Sequence, residues 1–213
     1  MPAADPARLA AAAALVAALR SIEDRGSNLV AALLAGATFI AFEHHPPGDV
    51  HDPVSGAQYY FHAHAPDTAR AVSPTWAEIG HIHTFIRPAG RGEGAPIHHL
   101  IAIALDRCGR PTALFTTNRW VTDDDFIPAP QAIGYARAYQ VSDGGPVSQC
   151  INALFALFAA DIADLLTARD AAIAAWQRNN PGVDAFEDRD LEITSAHPID
   201  LVAVLTALQD TLA

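Results

Sequence analysis

Histidines concentrated between residues 44 and 99 are the part of this sequence best suited to chemistry. All of the 10 histidines except His197 lie there, and four of them form two His-x-His pairs, His62 with His64 and His81 with His83. Because side chains of an extended strand alternate between its two faces, each pair places two imidazoles on the same side. Two such pairs on neighbouring strands would bring four imidazoles together.

Imidazole and carboxylate groups in this number are typical of catalytic zinc sites and of mononuclear non-haem iron sites. We predict that the metal ligands are His62, His64, His81 and His83. Glu78 stands three residues before His81, but strand parity places it on the opposite face. It would bind the metal if the chain bends at Gly80, or otherwise accept a hydrogen bond from an imidazole and fix its tautomer. The alternative is that these are ordinary strand or core histidines bonded to carboxylates.

Other polar residues are predicted to assist this site. Tyr60 and Arg87 share the faces of the predicted ligands, where they would serve as proton donor and substrate anchor. Asn118, Arg119 and Trp120 follow a predicted strand, where they would bind a polar or anionic small molecule. An ion pair between Arg119 and one of the nearby aspartates is the alternative.

Composition narrows the function further. All 13 basic residues are arginine, so pyridoxal phosphate enzymes and phosphate-loop enzymes that need a lysine are excluded. A net charge of −11 and a pI of about 5.2 argue against nucleic acid or a membrane surface as a partner. Cys108 and Cys150 are isolated, which leaves nitrogen and oxygen ligands and suits zinc, iron, manganese, nickel or copper(II). Of these, iron or zinc is the expected metal cofactor.

Alternating patterns predict an α+β fold whose centre is an antiparallel β-meander of about four strands, 57–64, 80–87, 97–105 and 112–117. In the third strand His99 shares a face with the bulky residues Ile101, Ile103 and Leu105. Residues 43–53 are rich in proline and glycine and are predicted to form a loop.

Helical patterns surround this meander. We expect a single domain over residues 1–213, with helices in 1–36, the β core in 37–122 and helices in 146–213. The Phe and Leu stripe that begins at Pro146 predicts one long helix that packs in the core or in a homodimer. The apolar run Leu9–Leu19 is too short to span a membrane and makes a poor signal peptide, so a cytoplasmic location is expected.

Three segments carry a resemblance to known proteins. They are Gln58–His64, Glu78-x-x-His81-x-His83 and Phe115–Thr122, which reads Phe-Thr-Thr-Asn-Arg-Trp-Val-Thr. Together they resemble a family of uncharacterised bacterial proteins that is defined only as a domain of unknown function, over about residues 40–130. This resemblance implies no activity.

A partial similarity to cupins is also present. Gly56-x5-His62-x-His64 is similar to the first half of the cupin metal motif, and Gly90-x5-Pro96 to the start of its second half. The glutamate expected after His64 and the histidine of the second half are missing. The chain is therefore not identified as a cupin.

These observations leave three functional hypotheses. The first is a metal-dependent enzyme that acts on a small polar or anionic molecule, either of the non-haem iron oxygenase type or a zinc-dependent hydrolase or lyase. The second is a non-catalytic metal-binding or sensing protein, whose coordination positions are all closed by protein ligands. The third is a helical interaction protein that dimerises through residues 146–166, with incidental histidines.

Overall fold

The computed structural model describes residues 5–63 and 78–210. The first half contains α1 (Pro6–Glu23), α2 (Leu29–Leu34) and the strands β1 (His45–His51), β2 (Ala57–His62), β3 (Gly80–Ile86), β4 (His98–Leu105) and β5 (Pro111–Thr117). The second half contains α3 (Arg119–Thr122), α4 (Ala129–Arg137), α5 (Pro146–Leu157), α6 (Ala159–Asn179), β6 (Ile193–Pro198) and α7 (Leu201–Asp210).

The strands form one antiparallel sheet in which each strand pairs with the next along the chain, from β1 to β6. The predicted meander corresponds to β2–β5, and β1 and β6 extend it to six strands. The prediction of a loop over residues 43–53 was wrong. Pro46, Pro47 and Gly48 are compatible with β1 because it is an edge strand, and its pairing with β2 is irregular between His45 and Val50.

One face of the sheet packs against the helices and forms the main core. Tyr59 and Phe61 of β2 and Ile82 and Ile86 of β3 point into it, as their alternation predicted. α1 packs on α5, and most of the Phe and Leu stripe of α5 is buried within the chain.

The helices differ from the predicted ones in three places. The long helix predicted from Pro146 is a pair, α5 and α6, bent by 76° where Phe158 leaves helical dihedral angles. The pattern predicts a separate helix over about residues 170–177, but α6 runs unbroken to Asn179. α4 was not predicted. Asp5 caps α1, and Asn28 caps α2, where its Oδ1 accepts a hydrogen bond from the backbone N–H of Ala31 at 2.9 Å.

No single helix in the described part of the chain is long and apolar enough to span a membrane. The bent pair of α5 and α6 reaches the necessary length and composition only when its two helices are taken together.

Candidate functional site

The second face of the sheet carries the histidines. Strand pairing sets His62 of β2 directly opposite His81 of β3, and Tyr60 opposite His83. We call this surface the histidine face and define it by the side chains of Tyr60, His62, His81, His83, Phe85 and His99. The alternation of β2 and β3 predicted the first five of these positions.

Three imidazoles from the two neighbouring strands lie close together on this face. Their ring centroids are 4.6 Å apart for His81 and His83, 5.6 Å for His62 and His81, and 6.2 Å for His62 and His83. Gly80 permits this approach at the start of β3, since a Cβ atom there would lie only 2.6 Å from the carbonyl oxygen of His62. His64 lies outside the described residues.

His99 joins the face although alternation predicted it among the core residues of β4. The register between the strands explains the difference. His83 pairs with Ala102 and Phe85 pairs with His99, so a step of two positions along β3 corresponds to a step of three positions along β4. This irregularity moves His99 to the other side of the sheet. Nε2 of His99 lies 3.1 Å from Nδ1 of His83, and Asp124 accepts the backbone N–H of His99 at 3.0 Å. No feature of the sequence marks the irregularity.

Burial controls the protonation of this face. It lowers the pKa of His83 well below its usual value, and the neighbouring His81 and His99 lower it further. The pKa of His99 falls to about 3, mainly through burial and then through the positive charge of Arg169. Burial also raises the pKa of the Tyr60 phenol. At neutral pH, therefore, both of these histidines are uncharged and Tyr60 keeps its proton.

Glu78 reaches the face from just before β3. Its Oε1 lies 3.3 Å from Nδ1 of His81, and both side chains are largely buried. A carboxylate in this position accepts the imidazole N–H and fixes the ring orientation, which is the second of the two roles predicted for Glu78.

A hydrogen-bonded network continues from the histidine face towards β1. The ring of His44 stacks on Tyr60 with centroids 3.5 Å apart, and its Nδ1 lies 3.0 Å from Oδ1 of Asp49. Gln58 donates to the other oxygen of Asp49 at 2.8 Å and accepts a hydrogen bond from Nε of Arg87 at 2.7 Å. Because residues 43–53 were predicted to form a loop, His44 and Asp49 were not predicted to lie next to Tyr60 and Gln58.

A groove of about 590 Å³ opens beside this network. Its lining is formed by His44, Gly48, Asp49, Arg87, Arg91 and Gly92. Arg91, from the loop between β3 and β4, donates from Nη2 to the carbonyl of Gly48 at 3.0 Å and to Oε1 of Gln58 at 3.2 Å. The groove therefore places a second arginine beside the predicted anchor Arg87.

The predicted substrate-binding residues at the end of β5 contact a different part of the chain. Asn118 donates to the carbonyls of Ala185 and Leu191 at 2.7 and 3.0 Å, and Trp120 donates to the same Leu191 carbonyl at 2.9 Å. Arg119 forms an ion pair with Glu187. These contacts give the three residues structural roles, and their role in substrate binding stays a prediction.

The imidazoles of the histidine face are suitable ligands for a transition metal, but they are not arranged as a preformed coordination site. Within residues 5–63 and 78–210, no three His, Cys, Asp or Glu side chains are placed so that they could hold a metal ion as they stand. Around one tetrahedral ion with metal–nitrogen bonds of about 2 Å, imidazole centroids lie about 5 Å apart. The observed separations, 4.6 to 6.2 Å, lie on both sides of that value, so the three rings would have to be reoriented to share an ion.

Comparison with known proteins places the chain in a family but assigns it no activity. No curated protein and no solved structure matches it. A family model, described as a domain of unknown function (DUF6969), matches residues 9–199. The match confirms the resemblance to an uncharacterised family and extends it from the central strands into the helices on both sides. The chain therefore belongs to the DUF6969 family of domains of unknown function.

Proposed function

We propose that the histidine face binds a divalent transition metal ion and that the protein is a metal-dependent enzyme acting on a small polar or anionic molecule. The proposed ligands among the described residues are His62, His81 and His83. The observation that carries the proposal is the convergence of these three imidazoles at facing positions of β2 and β3. His64 stays the predicted fourth ligand.

The hydrogen bonds of the face support ligation through Nε2. When Nδ1–H of His83 donates to Nε2 of His99, the lone pair of His83 resides on its Nε2 atom. When Nδ1–H of His81 donates to Glu78, the same tautomer results. Metal-binding histidines commonly donate their other ring N–H to such an acceptor.

The protonation of the face favours metal binding over acid–base catalysis by the histidines alone. A general base works best when its pKa is near the working pH. Burial moves the pKa of His83 and of His99 far below neutrality, so neither ring is suited to that task. The same burial keeps both rings in the neutral form, which is the form that binds metals.

The surroundings of the face supply the other functional groups of the proposal. The Tyr60 ring lies 5.3 Å from the ring of His83, and burial raises the pKa of its phenol, so that the protonated hydroxyl can donate a hydrogen bond to a bound substrate. Arg87 lies further along the same face and is our proposed substrate anchor. A bound ion would supply Lewis-acid or redox chemistry, and both zinc and non-haem iron accept this ligand set.

A closed, non-catalytic metal site is the second candidate, and the burial of the face supports it. His81, His83 and His99 are each no more than 5% exposed. If protein atoms fill every coordination position, the site stores or senses metal. The distinction lies in whether an added ligand can reach the ion.

Metal titration of protein purified without an affinity tag tests the proposal. We expect one equivalent of Zn²⁺, or of Fe²⁺ without oxygen, to bind the native chain and the control His197→Ala, whose histidine lies on β6 against Asp161. His81→Ala and His83→Ala should lose at least about 100-fold in affinity. Substoichiometric metal in all four proteins, or equal binding by all of them, would overturn the proposal.

Co²⁺ as a spectroscopic probe separates the two candidates. If the visible spectrum of the Co²⁺-loaded chain changes when azide is added, a coordination position is open and the enzyme is supported. If the spectrum is unaffected, the closed site is supported.

A further inference from the structure

We propose that the groove beside β1 is an oxyanion site, in which Arg87 and Arg91 together bind a carboxylate or phosphate group of a small molecule. This inference rests on the proposed function only in identifying that molecule as the substrate. The site itself consists of residues outside the proposed ligand set.

The groove has an excess of positive charge in a strongly acidic protein. Two guanidinium groups line it and one carboxylate, Asp49, faces them, with an oxygen 3.8 Å from Nη2 of Arg91. Asp49 also bonds to His44 and Gln58, so its charge is shared among several donors. This local charge is opposite in sign to the net charge of −11 that the chain carries as a whole. A bound anion would balance it.

The two arginines are positioned by neutral acceptors. Arg87 donates from Nε to the side-chain oxygen of Gln58, and Arg91 donates from Nη2 to that oxygen and to the Gly48 carbonyl. Gln58 is only 2% exposed and is held in turn by Asp49. Neutral acceptors orient a guanidinium group without cancelling its charge. In the described contacts, both Nη groups of Arg87 and Nη1 of Arg91 are available for a planar, forked interaction with an oxyanion.

The mutual repulsion of the two arginines also favours the binding of an anion between them. The pKa of Arg87 is lowered by burial and next by the positive charge of Arg91, with Asp49 opposing the shift. Two cations held this close are stabilised when an anion binds between them.

Two ring contacts lead from the groove to the histidine face, a stacked one between His44 and Tyr60 and a tilted one between Tyr60 and His83. His44 lines the groove and lies against Tyr60, which in turn lies beside His83. The groove has a volume of about 590 Å³ and is shallow and open to solvent, which suits a small ligand held through its anionic group. A ligand whose anionic group is held by the arginines thus lies beside His44, with Tyr60 between His44 and His83. The expected substrate class is a small organic acid or phosphate ester.

Calorimetric titration of metal-free protein with malonate, inorganic phosphate and glycerol at low salt tests this site. We expect one saturable site for malonate or phosphate, with glycerol inert, and the tighter of the two anions identifies the chemical class. Arg91→Gln should weaken binding about 10- to 100-fold, as expected for charge-assisted hydrogen bonds. Arg91 is the better target because its side chain is 43% exposed and its replacement should not disturb folding.

Arg107→Gln, an exposed arginine between β4 and β5, is the matched control and should bind the anion as the native chain does. Absence of saturable binding, or equal loss in Arg91→Gln and Arg107→Gln, would overturn the oxyanion site.

His83→Ala separates this inference from the proposed function. Anion binding that persists in His83→Ala supports the groove whether or not metal binds, whereas metal binding without anion binding leaves only the proposed function standing.

Discussion

His83 and His99 are bonded to each other across β3 and β4, with Nδ1 of His83 3.1 Å from Nε2 of His99. They are 16 residues apart in the chain, and both are nearly inaccessible to solvent. One ring donates and the other accepts, so the contact requires at least one neutral imidazole and is lost when both are protonated.

This pair makes the metal-free protein sensitive to acid. Both native pKa values lie below 6.5, the usual value for histidine, so below about pH 6.5 the unfolded chain binds protons that the native state does not. Stability is therefore fully present above that pH and decreases as the pH falls, towards about 3 for His99. Each histidine contributes at most about 1.4 kcal/mol per pH unit.

Urea unfolding of EDTA-treated protein between pH 7.5 and pH 5 measures this effect. His99→Gln retains a hydrogen-bonding side chain but does not titrate, so its stability should decrease less steeply with falling pH. Equal slopes for the native chain and the variant would contradict the prediction.

Replacement of Glu78 by glutamine should weaken metal binding without removing the ligands. The amide still lies beside Nδ1 of His81 but is a poorer acceptor than the carboxylate, and such substitutions cost about 10- to 100-fold in metal affinity. Competition with a chromophoric chelator measures the affinity. Glu93→Gln, in the exposed loop between β3 and β4, is the control. An affinity unchanged by Glu78→Gln would show that Glu78 does not act through the metal site.

Alanine at Gly56 should destabilise the fold by about 2 kcal/mol or more. Gly56 has a φ of +78°, and its Cβ would lie 2.4 Å from the carbonyl oxygen of Arg87. Gly90→Ala is a matched control because Gly90 has a similar φ of +72° with no atom within 4 Å of its Cβ. It should lose only about 1 kcal/mol. Chemical unfolding measures both variants, and equal losses would exclude a role for the close contact with Arg87.

Alanine at Asn118 should destabilise the protein by about 2–4 kcal/mol. The buried carbonyl of Ala185 loses its amide donor, the carbonyl of Leu191 keeps only its bond from Trp120, and α3 loses the side chain that caps its N-terminus. Asn118 is fully buried, whereas Asn179 at the end of α6 is exposed and provides the control Asn179→Ala. Urea midpoints give the comparison. If Asn118→Ala left stability intact, the structural role of this residue would be refuted and its predicted role in substrate binding strengthened.

The sequence by itself determined the side-chain pattern of β2 and β3. Alternation in an extended strand is a local property, so it placed Tyr60, His62, His81 and His83 on one face and Tyr59, Phe61, Ile82 and Ile86 in the core. Composition likewise limited any metal site to nitrogen and oxygen ligands.

The tertiary structure decided what surrounds those histidines. His99 reaches the face through a register irregularity between β3 and β4, which depends on how two strands pair and not on either strand alone. β1 forms in spite of its prolines because it pairs with β2 as an edge strand. This pairing brings His44 next to Tyr60 and Asp49 next to Gln58. Arg91 joins Arg87 because both bond to Gln58, at separations of 33 and 29 residues. Contacts between residues so far apart arise only from the pairing of strands and the path of loops, which local patterns do not encode.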